Sequence, residues 1–142
     1  MVVNNPNNWH WVNKNCLPWS KQYFIDNLEN LKLDNDAYVI TITNSSISGD
    51  CDVTQRKGKV LCIYDMVLSF DVEGEFKKSG ESIKGSVKIP EFIHDEDDYD
   101  YQLNEFGDYK AQIRKEFIPL IHERLIKFQK DLIDSHSKDV QE

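Results

Sequence analysis

The side chains of this 142-residue chain that could do acid–base or metal chemistry are four histidines, 25 acidic residues and three cysteines. His10, His94, His122 and His136 show no pairing at metal-ligand spacing. The acid-rich stretch HDEDDYDYQLNEF, residues 94–106, lacks the central glycine and the terminal glutamate of a calcium loop. We therefore expect a protein that is not an enzyme and that uses no metal and no cofactor.

The cysteines predict the compartment. Cys16, Cys51 and Cys62 are odd in number and have no Cys-x-x-Cys spacing, which favours reduced, packed thiols. The chain also has no signal-peptide pattern at its start, and no apolar run approaches 18 residues. We therefore expect a soluble, cytoplasmic protein that does not enter a membrane.

Alternation in the stretch GKVLCIYDMVLSFD predicts a strand with two unlike faces. One parity is entirely apolar and predicts the core face: Val60, Cys62, Tyr64, Met66, Leu68 and Phe70. On the other parity Leu61 and Ile63 precede polar residues, so this pair would be exposed together. Two adjacent apolar side chains inside a charged rim are typical of a protein interface. The alternative is that the N-terminal helix or the tryptophan segment covers them.

Arg56-Lys57-Gly58-Lys59 is a basic tetrad at a strand junction. It is not a phosphate-binding loop, because Val53 stands where the first glycine of that motif would be. A nucleic-acid site needs a broad basic face, whereas this tetrad lies near acidic residues. We expect no nucleic-acid binding and favour an acidic patch on a protein partner. A solvated hairpin turn is the competing interpretation.

The segment NNPNNWHW, residues 4–11, contains two tryptophans among residues that discourage helix and strand. Trp9 and Trp11 would be costly to leave in water, so we expect at least one of them to be largely buried. From its residues alone the segment is an anchor tucked against the first helix.

The elements that must position these residues predict a two-layer α+β fold. Pro18 and helix-spaced apolar residues predict a helix over about residues 18–31. An antiparallel meander of about four strands follows, and then a long amphipathic C-terminal helix packs on the sheet. Pro119 should kink that helix or start a second one. We expect one domain over residues 1–142, with an arm at 1–11 and the α+β domain at 12–142.

The net charge of −8 comes from one block. Residues 91–108 hold eight acids and no Lys or Arg, whereas the rest of the chain has 17 acids and 17 bases. Such a block is more often a solvated loop than a binding site.

The order of NNPNNWHWVNKNC, SGDCDVTQRKGKV and PEFIHDE closely resembles the N-terminal domain of the activators of the heat-shock protein 90 ATPase, over essentially the whole chain. The resemblance is strongest to the short, single-domain fungal members. It implies a monomeric co-chaperone that binds the middle domain of the chaperone and stimulates its ATPase by repositioning the catalytic loop. It also implies roles in protein folding and in the stress response.

The resemblance implies two sets of functional residues. The partner-binding set is Asp50, Arg56, Lys57, Gly58, Lys59, Leu61, Ile63, Asp65, Glu91, His94 and Asp95. His94 departs from the family, in which a bulky aromatic residue can stand there. The regulatory arm is Asn5, Pro6, Asn7, Asn8, Trp9, His10 and Trp11.

A different class of function is the alternative. A small α+β domain whose tryptophan-rich arm closes a pocket would bind a small ligand or a lipid. That protein would be stabilised against heat by small apolar ligands and would not change the phosphate release of the chaperone.

Overall fold

The computed structural model describes residues 12–56 and 59–140. These residues form six strands and four α-helices. The strands are β1 (Val12–Asn15), β2 (Lys32–Asp34), β3 (Tyr38–Arg56), β4 (Lys59–Phe76), β5 (Ser82–Ile93) and β6 (Gln102–Asn104). The helices are α1 (Leu17–Asn27), α2 (Lys110–Glu116), α3 (Ile118–Leu125) and α4 (Phe128–Val140).

The strands form one antiparallel sheet in the order β1-β3-β4-β5-β6, and β2 pairs with the opposite end of β3. Its centre is the long β3–β4 hairpin, which is paired from Tyr38 with Phe76 to Arg56 with Lys59. Irregularities in pairing lie between Ile42 and Asn44 and between Met66 and Leu68. The hairpin therefore carries a continuous row of cross-strand pairs along most of its length.

One face of the sheet is covered by helices, and the core between the two layers is aromatic. Phe128 of α4 stacks on Phe24 of α1 with ring centroids 5.0 Å apart, and its ring also contacts Phe92 at 5.5 Å. Tyr64 of β4 stacks on Phe92 at 5.3 Å. All four of these side chains are almost completely buried. Offset and edge-on aromatic pairs of this kind add to the stabilisation from apolar burial.

The α+β class, with a helix before the sheet and helices packed on it afterwards, is confirmed. Pro18 lies in the first turn of α1 and Pro119 in the first turn of α3, as the sequence predicts. The first helix ends earlier than predicted, since Asn30 adopts a left-handed conformation (φ 71°) and its N–H bonds the carbonyl of Ile42.

Two details of the prediction are wrong. Within the described residues the sheet has six strands rather than about four, because β1 and β2, of four and three residues, are too short to be recognised by alternation. The long C-terminal helix is three helices. The break at Phe117, just before Pro119, is the one that the sequence predicts, whereas the break at Ile126 and Lys127, between α3 and α4, is not predicted.

Cys16, Cys51 and Cys62 are all buried, as expected for packed thiols. Within the described ranges, no helix is long and apolar enough to cross a membrane.

Candidate protein-docking face

The face of the β3–β4 hairpin that points away from the helices presents three cross-strand rows. Their paired residues are Asp50 with Asp65, Asp52 with Ile63, and Thr54 with Leu61. We call these six residues the docking face. Leu61 and Ile63 are 45% and 55% exposed, whereas the residues that alternate with them on β4 are buried. The first helix does not cover this pair, because α1 packs with the buried side of β3, where Ser20 reaches Cys51. The tryptophan segment, which is the other predicted cover, lies outside the described residues.

One end of the docking face is acidic. Asp50 and Asp65 are both exposed and lie directly opposite each other. Like charges directly opposite each other destabilise a sheet. A cation near Asp50 and Asp65 would reduce the repulsion between their carboxylates. Asp52, one row along, is half-buried, and its pKa is raised by burial and then by the charge of Asp50. A cation brought by a partner would relieve both effects.

Gly49 allows the acidic end to form. Its φ is 115°, and a Cβ added there would lie 2.3 Å from the carbonyl oxygen of Asp65. A side chain would therefore push the strands apart next to the carboxylate pair.

The other end of the docking face is basic. Arg56 and Lys59 are Cα partners at the tip of the hairpin, and Lys59 is exposed. Lys57 and Gly58 of the tetrad lie outside the described residues. Six residues of strand separate Asp50 from Arg56, which is roughly 20 Å at the usual rise per residue. The hairpin thus presents carboxylates, an apolar centre and a basic tip in sequence.

The other predicted rim residues lie at the end of β5. Glu91 is exposed, next to the pairing irregularity between β4 and β5. His94 continues the register of β5, and its N–H donates to the carbonyl of Tyr64 at 3.2 Å. Its ring packs against that of Tyr64, on the helix side of the sheet, with centroids 5.8 Å apart. His94 therefore lies beside the docking face rather than within it.

Asp95 is tied to a helix. Its backbone N–H donates to Oε1 of Gln129 at 2.7 Å, and Nε2 of Gln129 donates to its carboxylate at 2.7 Å. Asp95 holds this position with a left-handed backbone (φ 65°). Two hydrogen bonds to α4 fix it at the edge where β5 meets the helices.

Five further residues lie on or beside this face and were not predicted. Asp52 and Thr54 share the parity of Asp50, so the alternation of GDCDVT could have placed them. Ile93 pairs with Asp65, while Asn15 and Asn13 of β1 pair with Asp52 and Thr54. Nothing in VNKN signals a strand, so these asparagines were not predictable. Residues 5–11 of the proposed arm lie outside the described residues.

The cysteines of β3 and β4 lie in the packed interior of the protein. The pKa of the Cys51 thiol is raised to about 12 and that of Cys62 to about 11, in both cases chiefly by burial. Both thiols are therefore protonated at neutral pH and are poor nucleophiles. The hydroxyl of Tyr101 lies 2.7 Å from Nδ1 of His122. Within residues 12–56 and 59–140, no three His, Cys, Asp or Glu side chains are grouped to hold a metal ion.

A family model described as "Activator of Hsp90 ATPase, N-terminal" matches residues 13–136, which includes every described element of the docking face. The chain belongs to this family. The membership favours the co-chaperone interpretation over the ligand- or lipid-binding alternative, and it confirms the resemblance seen in the sequence.

Individual relatives agree with the family. The chain is 42% identical to the Hsp90 co-chaperone HCH1 of Saccharomyces cerevisiae, with 99% of both chains covered. It is 38% identical to the Hsp90 co-chaperone AHA1 of the same yeast, of which it spans 44%. An Aha-1 crystal structure from Plasmodium falciparum matches with a TM-score of 0.78 at 29% identity, covering 89% of this chain and 91% of that one. Relatives in this family thus include one of about the length of this chain and one more than twice as long.

Proposed function

We propose that this protein is a co-chaperone that binds the middle domain of heat-shock protein 90 through its docking face and stimulates the ATPase of that chaperone. The observation that carries the proposal is the exposure of Leu61 and Ile63 between a carboxylate pair and a basic tip. In this proposal the protein acts as a cytoplasmic monomer, catalyses no reaction itself and engages neither nucleic acid nor a membrane.

The two kinds of residue on the docking face have different roles. Leu61 and Ile63 lose water when a partner covers them, and central apolar anchors of this kind supply most of the affinity of an interface. The charged ends pair with groups of opposite sign on the chaperone. They set its orientation and speed its association, and their effect weakens with salt. Glu91, His94 and Asp95 extend the contact along the edge of the sheet.

Stimulation requires the docking face to prefer one conformer of the chaperone. In the proposed mechanism the bound co-chaperone favours the conformer whose catalytic loop is positioned for ATP hydrolysis. Each ~1.4 kcal/mol of preference shifts the ratio of the two conformers tenfold. No catalytic group from the co-chaperone is needed for this effect.

The arm has a separate role in the proposal. Docking rests on the sheet, and residues 5–11 act on how the bound chaperone cycles nucleotide. The composition of the segment supports this role, since two tryptophans and His10 stand among residues that form neither helix nor strand. The His10→Ala variant should bind the middle domain within a few fold of wild type but change ATPase stimulation. Normal stimulation by a folded His10→Ala protein would reduce the arm to an anchor.

Calorimetry against the isolated middle domain tests the docking face. Ile63→Ala should weaken binding by ~2 kcal/mol, about 30-fold, because it truncates a central anchor. Asp50→Lys should weaken it as well, since it places a cation where the carboxylate pair would receive one. Ile25→Ala is the matched control, because Ile25 is an isoleucine of similar exposure on α1.

Phosphate release from the full-length chaperone should fall in parallel with affinity for the docking variants and stay normal for the control. Lys57→Ala with Lys59→Ala tests the basic tip. This double variant should stimulate less, and stimulation by the wild-type protein should fall as salt rises. Wild-type affinity in folded Ile63→Ala and Asp50→Lys proteins would overturn the assignment of the docking face.

A further inference from the structure

A groove of about 410 Å³ lies on the helix side of the sheet, between α4 and the turn that follows β5. Tyr64, Tyr99 and Leu125 contribute its buried lining. Ile126 and Ile133 line its wall, and Ile126 is 48% exposed. We call this the α4 groove. Its size falls within the range of ligand sites, and it faces away from the docking face.

The α4 groove has an acidic rim. Glu96 and Asp134 line it, and Asp95, Asp97 and Asp98 stand beside Glu96 in the same turn. Lys130 is the lining residue with a positive charge, and its Nζ is paired with Asp134 at 2.7 Å. The rim therefore has an excess of negative charge around an apolar patch, which complements a cationic ligand with an apolar anchor.

The negative field reaches the floor of the groove. The pKa of Tyr99 is raised to about 12, first by burial and then by the charges of Asp97, Glu96 and Asp98. This effect agrees with the sequence of the turn, in which Glu96, Asp97 and Asp98 directly precede Tyr99. A positive group placed above Tyr99 would therefore lie in a favourable potential.

The walls of the groove are held in place. Gln129 makes two 2.7 Å hydrogen bonds to Asp95, and the hydroxyl of Tyr99 donates to the carbonyl of Glu96 at 2.9 Å. These bonds connect the acidic turn to α4 and to itself. A ligand would meet a preformed site and would lose little binding energy in ordering it.

The size of the groove limits its occupant. A volume of about 410 Å³ lies toward the lower end of the range of ligand sites, so the groove suits a short segment. Ile126, in the break before α4, and Ile133, within α4, both line it. We propose that the α4 groove binds a short basic peptide segment in which an aliphatic side chain packs on Ile126 and flanking Lys or Arg residues pair with Glu96 and Asp134.

Fluorescence anisotropy with the labelled, end-blocked pentapeptide Lys-Arg-Leu-Arg-Lys tests the proposal on the full chain at low salt. Glu96→Gln should weaken saturable binding about threefold, in keeping with a surface charge pair. Ile126→Ser should weaken it about fivefold, and a probe with serine in place of leucine should bind more weakly to wild type. Both substituted side chains are exposed, so the melting temperature should stay near that of wild type.

Matched controls separate the groove from the overall negative charge. Glu75→Gln removes an exposed carboxylate at the far end of β4, and Ile25→Ser removes an exposed isoleucine from α1. Both should bind the pentapeptide like wild type. For the Ile126→Ser protein, replacing the leucine of the probe by serine should weaken binding little further, because the side chain that contacts the leucine is already gone. Absence of saturable binding, equal losses in the control variants, or an undiminished leucine effect in Ile126→Ser would each overturn the proposal.

Discussion

The two faces of strand β4 use one stretch of chain for opposite purposes. Cys62, Tyr64 and Met66 lie on the helix side and are buried, and Tyr64 stacks on Phe92. Leu61 and Ile63 alternate with them and are about half exposed. Because the side-chain period of a strand is two, stability and recognition can be encoded on alternate residues. Substitution of an inward apolar residue of β4 should therefore change the folding stability, whereas substitution of an outward one should change the binding of a partner.

The largest expected loss of folding stability comes from truncating a side chain on the helix side of the sheet. Phe128→Ala should lower the free energy of unfolding by ~3–5 kcal/mol, since truncating a buried phenylalanine leaves a cavity. Phe128 contacts the rings of Trp19, Tyr23, Phe24 and Phe92, which cannot all move to fill the gap. Urea denaturation monitored by circular dichroism measures the change.

Leu61→Ser is the matched variant on the open face. Its free energy of unfolding should stay within ~0.5 kcal/mol of wild type, as for most surface substitutions. A loss as large as that of Phe128→Ala would show that the two faces do not divide stability from recognition.

A second prediction concerns alkaline pH and the helix side. The folded pKa values of Cys62 and Cys51, about 11 and about 12, lie above the ordinary value of 9.0 because both thiols are buried. Above pH 9 the unfolded chain releases these protons and the folded chain retains them, so stability falls as pH rises. Chemical denaturation between pH 8 and about pH 11 should show this decline, by at most a few kcal/mol. Ellman's reagent should label these thiols slowly at pH 8, and Cys62→Ala should flatten part of the decline. Rapid labelling of the native protein would contradict their burial.

Sequence patterns predicted the parts of the site that depend on local periodicity. Alternation places Leu61 and Ile63 together on one face of β4, and the break before α3 follows from Pro119, whereas the position of α1 on the other face is seen only in the structure. The positions of His94 and Asp95 were not predictable in this way. Their places depend on Tyr64 and Gln129, which are 30 and 34 residues distant in the chain. The asparagines of β1 reach the site only through pairing with β3.

A third prediction addresses a polar contact between the helices. The hydroxyl of Tyr23 on α1 donates to the carboxylate of Asp131 on α4 at 2.6 Å. Tyr23→Phe should cost ~1 kcal/mol of folding free energy, because the ring stays packed and one hydrogen bond is lost. Binding to the middle domain should be unchanged, since the contact lies on the helix side. A normal melting temperature in Tyr23→Phe would show that water replaces the bond at no net cost.

The smallest expected effect has the opposite sign and lies on the docking face itself. Thr54 is only 5% exposed although its row partner Leu61 is open, and its Oγ1 has no hydrogen-bond partner in the part of the chain that the structure describes. Burying a hydroxyl without a partner is unfavourable, and valine has nearly the same shape as threonine. Thr54→Val should therefore raise the free energy of unfolding by up to ~1 kcal/mol. Thr54→Ser is the control, since it keeps the hydroxyl and loses the methyl group. Calorimetry then measures the affinity of Thr54→Val for the middle domain of the chaperone. Unchanged affinity would show that the buried hydroxyl takes no part in docking, whereas weaker binding would show that a partner reaches it after the surrounding residues move.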